Sequence, residues 1–211
     1  MPVAGTELEF PLEDADLDDW QAIANKHGLV PGGYACLHPG ARLPTRRWPA
    51  ARFARVADRL SAMGLRIVLT GTGDERPLTR AVAAAASCPV VDLAGETSIG
   101  GVAALIAQAR VLVCNDTGVS HVAAGLGVPS LVVCCGADPE RWAPLDSARH
   151  RVVFQPVDCR PCDYVECPIG HPCATGISAD DVVVELEALL GRVAERVHRW
   201  HAQAGARRGY H

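Results

Sequence analysis

The chain has 211 residues, 49% of them hydrophobic and 21% charged, with a formal net charge of -4. That length suits one well-buried domain or at most two small ones, and that composition excludes a disordered chain. The slight negative charge leaves no electrostatic reason to expect nucleic acid as a partner. No run approaches the ~20 apolar residues of a spanning helix. Seven acids between Glu7 and Asp19 precede the first base, Lys26. This is the reverse of a secretory leader, so a cytoplasmic protein is expected.

Residues 1–33 give an acidic lead-in, a helix near Asp16–His27 and a Pro31-Gly32-Gly33 break. Six short apolar runs follow: Tyr34–Leu37, Leu65–Thr70, Val90–Leu93, Val111–Asn115, Ser130–Cys135 and Arg151–Phe154. Most are continuously hydrophobic rather than alternating, as strands buried on both faces are. Helical patterns at Ala50–Met63, Glu75–Ala86, Ile99–Ala109 and Val119–Leu126 lie between them. Pro49 suits the start of the first of these and Gly64 its end. Strands alternating with helices predict an α/β, Rossmann-like doubly wound parallel sheet of about six strands. Ser178 caps a final helical pattern over residues 179–201, with Val182, Leu186, Leu189, Leu190 and Val193 as its apolar stripe. Residues 202–211 read as a flexible basic tail.

Three segments carry chemistry. In the first, Val111-Leu-Val-Cys-Asn runs into Asp116-Thr117-Gly118 and a helix begins at once. The first turn of such a helix presents unpaired N–H groups, reinforced by the helix dipole, to an anion. Taken alone, a plain helix cap by Asp116 or Thr117 fits equally well. The second is residues 38–49, after the first strand, with Arg42, Arg46 and Arg47 in a loop. Arginine can grip a diphosphate bidentately there, although a solvated loop would read the same. In a doubly wound sheet the first and fourth strands flank the switch point, so both loops should face one crevice. The third is Thr70-Gly-Thr-Gly-Asp-Glu75. Asp74 or Glu75 could bind ribose hydroxyls, or simply enrich a helix N-terminus in acid. The Gly71-Thr-Gly turn follows the wrong strand for a nicotinamide fingerprint and is not a P-loop, which argues against a dehydrogenase.

His38-Pro-Gly-Ala, Arg46-Arg-Trp-Pro, Thr70-Gly-x-Gly-x-Glu75, Leu93-Ala-Gly-x-Thr, Asp116-Thr-Gly-x-Ser-His-x-Ala-Ala and Gly127-x-Pro occur in that order. Together they resemble glycosyltransferase family 9, the lipopolysaccharide heptosyltransferase family. The resemblance implies the C-terminal half of a two-domain GT-B fold, transferring heptose from ADP-heptose to a lipopolysaccharide core precursor without a catalytic metal. It implies that Thr117, Gly118 and Val119 hold the donor phosphates, Asp116 lies near the sugar, and Glu75 binds ribose. Arg46 stands where the family often has a phosphate-neutralising lysine, and His121 is a further candidate for the phosphates. Residues 1–33 correspond to the connection between the two halves. The acceptor domain and its carboxylate base fall outside the matching region, so no catalytic residue is assigned. The implied partners are a nucleotide-sugar donor, the N-terminal acceptor domain and a lipid-linked glycan acceptor at the inner membrane. Two other readings stay open: a stand-alone nucleotide-sugar binding module, and half of a nucleotide-sugar epimerase.

Nine cysteines remain to be explained. Cys36, Cys88, Cys114, Cys134 and Cys135 lie in or beside the apolar runs and read as small buried hydrophobes. Cys159, Cys162, Cys167 and Cys173 cluster in a Pro- and Gly-rich loop, where four thiols could enclose zinc or an iron–sulfur cluster, with His171 as an alternative ligand. Reduced thiols without metal are the other reading.

Overall fold

A computed structural model describes residues 8–192. Its core is a single sheet of six parallel strands: β1 (Tyr34–His38), β2 (Arg66–Leu69), β3 (Val90–Asp92), β4 (Val111–Asn115), β5 (Ser130–Cys134) and β6 (His150–Phe154). Their order is β3-β2-β1-β4-β5-β6. Every residue of β1, β4 and β5 is buried, which is why those runs show no polar alternation. The six expected strands are all present, with ends differing by one residue at most.

Helices cover both faces, as the doubly wound reading requires. On one face α2 (Ala50–Ala62), α3 (Arg76–Ala85) and α8 (residues 179–192) pack on Leu37, Ile67, Val113 and Leu131. The expected stripe of the last helix is realised, with Val182, Leu186, Leu189 and Leu190 all buried. Ser178 caps it reciprocally: its hydroxyl accepts from the Asp181 N–H at 3.1 Å and its own N–H donates to Asp181 at 3.1 Å. Val193, the rest of the predicted helix and the tail at 202–211 lie outside the described residues.

On the other face α1 (Asp14–His27), α4 (Ile99–Ala107) and α5 (Gly118–Gly125) pack on Cys36, Val68, Leu112 and Val132. The first helix is therefore part of this layer. A Cβ on Gly100 would overlap the Asp16 carboxylate, so α1 and α4 approach backbone to side chain. Two further short helices, α6 (Pro139–Trp142) and α7 (Pro172–Thr175), lie in the long connections after β5 and β6.

One buried polar chain ties this second layer together. The Trp20 indole N–H donates to the Tyr34 hydroxyl at 3.1 Å, and that hydroxyl donates to the Leu105 carbonyl at 2.6 Å. It joins α1, β1 and α4 in one relay. Tyr34→Phe leaves the indole N–H without its partner and the buried Leu105 carbonyl with only the weak Cys36 thiol contact at 3.9 Å. We expect it to cost about 1–3 kcal/mol of stability, read by urea denaturation of the whole chain.

Candidate functional site

β1 and β4 are neighbours although two strands, β2 and β3, lie between them in the chain, so their C-terminal loops open side by side. Asn115, fully buried at the end of β4, fastens one loop to the other. Its Oδ1 accepts the Trp48 N–H at 2.9 Å, and its Nδ2 donates to the Pro39 carbonyl at 2.8 Å. Those two residues bracket the arginine loop. Trp48 is buried; its indole donates to the Ile177 carbonyl at 3.1 Å and its ring stands edge-on to Phe53 at 5.1 Å. The tryptophan packs the loop against the core.

The three arginines separate into different roles. Arg42 is exposed. Arg47 donates from Nε to the Ala41 carbonyl at 2.9 Å and so holds its own loop. Arg46 ends the 3-10 turn Pro44–Arg46, and its Nε is buried with no hydrogen-bond partner among the described residues. It is the arginine whose charge acts on Asp116 across the crevice.

The strand-to-helix turn follows β4 directly. Thr117 is extended (φ -156°, ψ 168°) and makes no side-chain cap, which leaves its hydroxyl uncommitted to the helix. The Gly118 and Val119 N–H groups open α5 and have no preceding turn to bond. No protein atom among the described residues lies within 4 Å of a Cβ built on Gly118. The glycine is thus not relieving a contact within this chain, and the backbone is accessible to a group arriving from the crevice. Ser120 is buried, with its N–H and hydroxyl both on the Thr117 carbonyl at 3.0 and 2.8 Å.

Asp116 sits between the two loops. Burial raises its carboxyl above the ordinary range, and the charges of Arg46, His121 and Arg160 pull against that rise. The structure places Arg46, His121 and Arg160 near enough to act on Asp116. His121 also packs edge-on to Trp142, with ring centroids 6.4 Å apart. The two terminal nitrogens of Arg160 donate to the Cys134, Ala137 and Gln155 carbonyls, while its Nε is buried without a partner among the described residues.

Glu75 lies at the neighbouring end of the crevice, with a side chain only 14% exposed. It closes a capping box with Thr72, whose N–H donates to its Oε2 at 2.9 Å. The same oxygen stands 3.7 Å from Nε2 of His38, a buried imidazole at the end of β1. Burial holds His38 below the ordinary imidazole range, and the Glu75 charge opposes this. Asp74, the other acid of that turn, is exposed.

No group of three or more His, Cys, Asp or Glu side chains among the described residues has metal-holding geometry, so the zinc or iron–sulfur reading of Cys159, Cys162, Cys167 and Cys173 finds no support in this structure. The four thiols nonetheless lie close enough for the other three to act on Cys173. Cys162 and Cys173 are buried, Cys173 in the core against which Trp48 packs, whereas Cys159 is exposed. The Cys167 sulfur accepts the His171 N–H at 3.1 Å. His171, held at φ 60°, meets the Thr45 carbonyl through Nε2 at 2.7 Å rather than joining the thiols. The Thr45 hydroxyl in turn donates to the Tyr164 carbonyl at 2.6 Å. The loop therefore buttresses the turn that carries Arg46. Of the other five thiols, Cys36, Cys114, Cys134 and Cys135 are buried, and Cys88 is half-buried.

Three residues of this site escaped the reading of the sequence. Asn115 had a signal, being an amide at the end of a wholly apolar strand, where it must find partners. His38 was noticed only as part of a motif. Arg160 had no local signal, because the course of its loop is set by long-range packing.

A backbone anion site, flanked by arginine, at the switch point of a doubly wound sheet defines a class of nucleotide- or phosphate-binding α/β proteins. The sequence profile of glycosyltransferase family 9 (heptosyltransferase) matches residues 1–172, and the chain belongs to that family. Lipopolysaccharide heptosyltransferase 2 of Escherichia coli (strain K12) is 31% identical over 158 residues, 72% of this chain and 45% of that protein. The solved E. coli ADP-heptose lipopolysaccharide heptosyltransferase II superposes with a TM-score of 0.75 at 26% identity, over 92% of this chain and 56% of that one. A family 9 glycosyltransferase from Veillonella parvula DSM 2008 shares the fold, with a TM-score of 0.76 at 23% identity over 90% of this chain and 56% of that one. The chain spans about half the length of these relatives. No helix among the described residues is long and apolar enough to cross a membrane.

Two outcomes test this geometry. Asn115→Ala strands a buried N–H and a buried carbonyl, and should cost about 2–4 kcal/mol in denaturation. Asp116 has a folded-state pKa above its unfolded value, so the folded chain binds the extra proton. Its penalty is absent below an unfolded pKa of about 3.9 and grows as pH rises, becoming complete above the raised folded pKa. Asp116→Asn should therefore stabilise the chain at pH 7 and flatten the fall in stability above about pH 4.

Proposed function

We propose that this chain is the donor-binding domain of a glycosyltransferase, corresponding to the C-terminal half of a GT-B enzyme, with ADP-heptose as its donor. The observation that carries this reading is the pairing of unbonded N–H groups at Gly118 and Val119 with the uncommitted Arg46 guanidinium across one crevice. Backbone donors at a helix N-terminus recognise phosphate oxygens, and an arginine facing them supplies bidentate contacts and charge. The Thr117 hydroxyl adds a donor, and His121 stands close enough to Asp116 to share its field. Glu75, at the far end of the crevice, is the acceptor for ribose hydroxyls.

The sugar belongs on the Asp116 side. A carboxylate there accepts hydroxyl hydrogens of the hexose or heptose while the phosphates occupy the turn. ADP-heptose is favoured because the E. coli relative at 26% identity carries that donor in its name. The donor domain comprises the sheet with α1 and α8 packed on its two faces, and the residues before α1 lead in from an acceptor-binding half. That half supplies the base that deprotonates the acceptor hydroxyl, so the lipid-linked glycan meets the donor between the two, at the cytoplasmic face of the inner membrane.

Calorimetric titration with ADP tests the reading. We expect a Kd between about 1 μM and 1 mM, weakened about tenfold or more in Arg46→Ala and abolished in Thr117→Pro, which blocks the turn. Heat of binding indistinguishable from dilution in the wild-type chain would overturn it. Supplied with ADP-heptose and acceptor, the chain alone should give no product, and turnover would refute the assignment of the base to another half.

A further inference from the structure

The proposed donor site uses Glu75 but leaves a question about it. A glutamate that accepts two vicinal hydroxyls must present its carboxylate in one plane, yet its side chain has three rotatable bonds. Two residues of the first loop answer this. His38 is buried at the end of β1; its Nδ1 pairs with the Thr70 hydroxyl at 3.1 Å and its Nε2 faces the Glu75 Oε2 at 3.7 Å. When the threonine hydroxyl donates to Nδ1, the ring proton resides on Nε2, directed at the carboxylate. Gly40 lies on the other side, where a Cβ would overlap both carboxylate oxygens of Glu75. The seat exists because residue 40 has no side chain. The Thr72 N–H at 2.9 Å supplies a third constraint from the turn of Glu75 itself.

We infer that His38 and Gly40 are positioning residues that set the Glu75 carboxylate for a ribose 2′,3′-diol, and so give this site its preference for ribonucleotides over nucleotides without those hydroxyls. The inference rests on the donor-binding reading above and assigns a task to two residues that touch no part of the ligand. The chemistry is that of a preorganised acceptor. A carboxylate held by an imidazole on one side and backbone on the other binds a diol without first losing its own freedom. It also explains why a buried imidazole stands beside a carboxylate far from any reacting atom.

The test compares ADP with 2′,3′-dideoxy-ADP by calorimetry in five forms: wild type, Glu75→Gln, His38→Leu, His38→Gln and Gly40→Ala. The wild-type chain should prefer ADP by about tenfold or more, and Glu75→Gln should lose most of that preference. His38→Leu and Gly40→Ala should bring the preference to within about twofold, with the dideoxy-ADP affinity unchanged. That unchanged affinity also shows that each variant is folded and its phosphate turn intact. His38→Gln, whose amide nitrogen reaches the place of Nε2, should recover most of the preference. If His38→Leu does not fold, Gly40→Ala carries the test, since only the end of the Glu75 side chain must move to admit a methyl group.

The proposal is overturned if both positioning variants keep the wild-type preference while Glu75→Gln loses it. It is also overturned if the two ligands weaken equally, which would mean general damage to the crevice. A wild-type chain that binds both nucleotides without preference removes the ribose role and this inference, and leaves the phosphate site standing. A wild-type chain that binds neither removes the donor reading itself.

Discussion

The arrangement of this molecule depends on one buried amide. Asn115 satisfies the Trp48 N–H and the Pro39 carbonyl at once, and so fixes the start and the end of the arginine loop to the end of β4. A parallel sheet places two successive-looking loops on opposite sides of a crevice only where the strand order reverses. The topology brings the loops to the same edge, and the amide sets their separation. Without it the Arg46 turn and the helix N-terminus at Gly118 would face each other across a variable gap. The proposed anion site depends on the gap being constant.

Around that brace the charges are arranged at a cost to stability. Asp116 is buried enough to resist ionisation, yet three cationic groups converge on it. Sites of this kind are where local rules of stability are broken for function, and the surrounding structure over-determines them. Here the over-determination comes from the cysteine-rich loop, which reaches Thr45 through His171 and Tyr164. The turn that bears Arg46 is thus held from two directions, by β4 and by the connection after β6.

Much of this was legible in the sequence, for reasons that can be stated. Continuous apolar runs such as Val111–Asn115 mark strands buried on both faces, and alternation with helices leaves a doubly wound sheet as the simplest architecture. The turn at Asp116–Gly118 was legible because strand, small residues and helix follow one another without a gap. Other features depend on contacts between distant segments, and pattern cannot show them. The spacing of Cys159, Cys162, Cys167 and Cys173 resembles a ligand set, but their burial differs from thiol to thiol and they do not form a metal-holding group among the described residues. Arg160 reaches the Asp116 region only because its loop folds back beneath β5. Glu75 was read as either a ribose ligand or a turn former; it demonstrably forms the turn, and the geometry that does so also orients its carboxylate.

The central claim is that the crevice between the loops after β1 and β4 takes a nucleoside diphosphate. A crystal structure of this chain with ADP tests it most directly. The account predicts the β-phosphate within hydrogen-bond distance of the Gly118 and Val119 N–H groups, with Arg46 on its other side and the ribose at Glu75. ADP bound elsewhere, with that turn left untouched at saturating nucleotide, would contradict it.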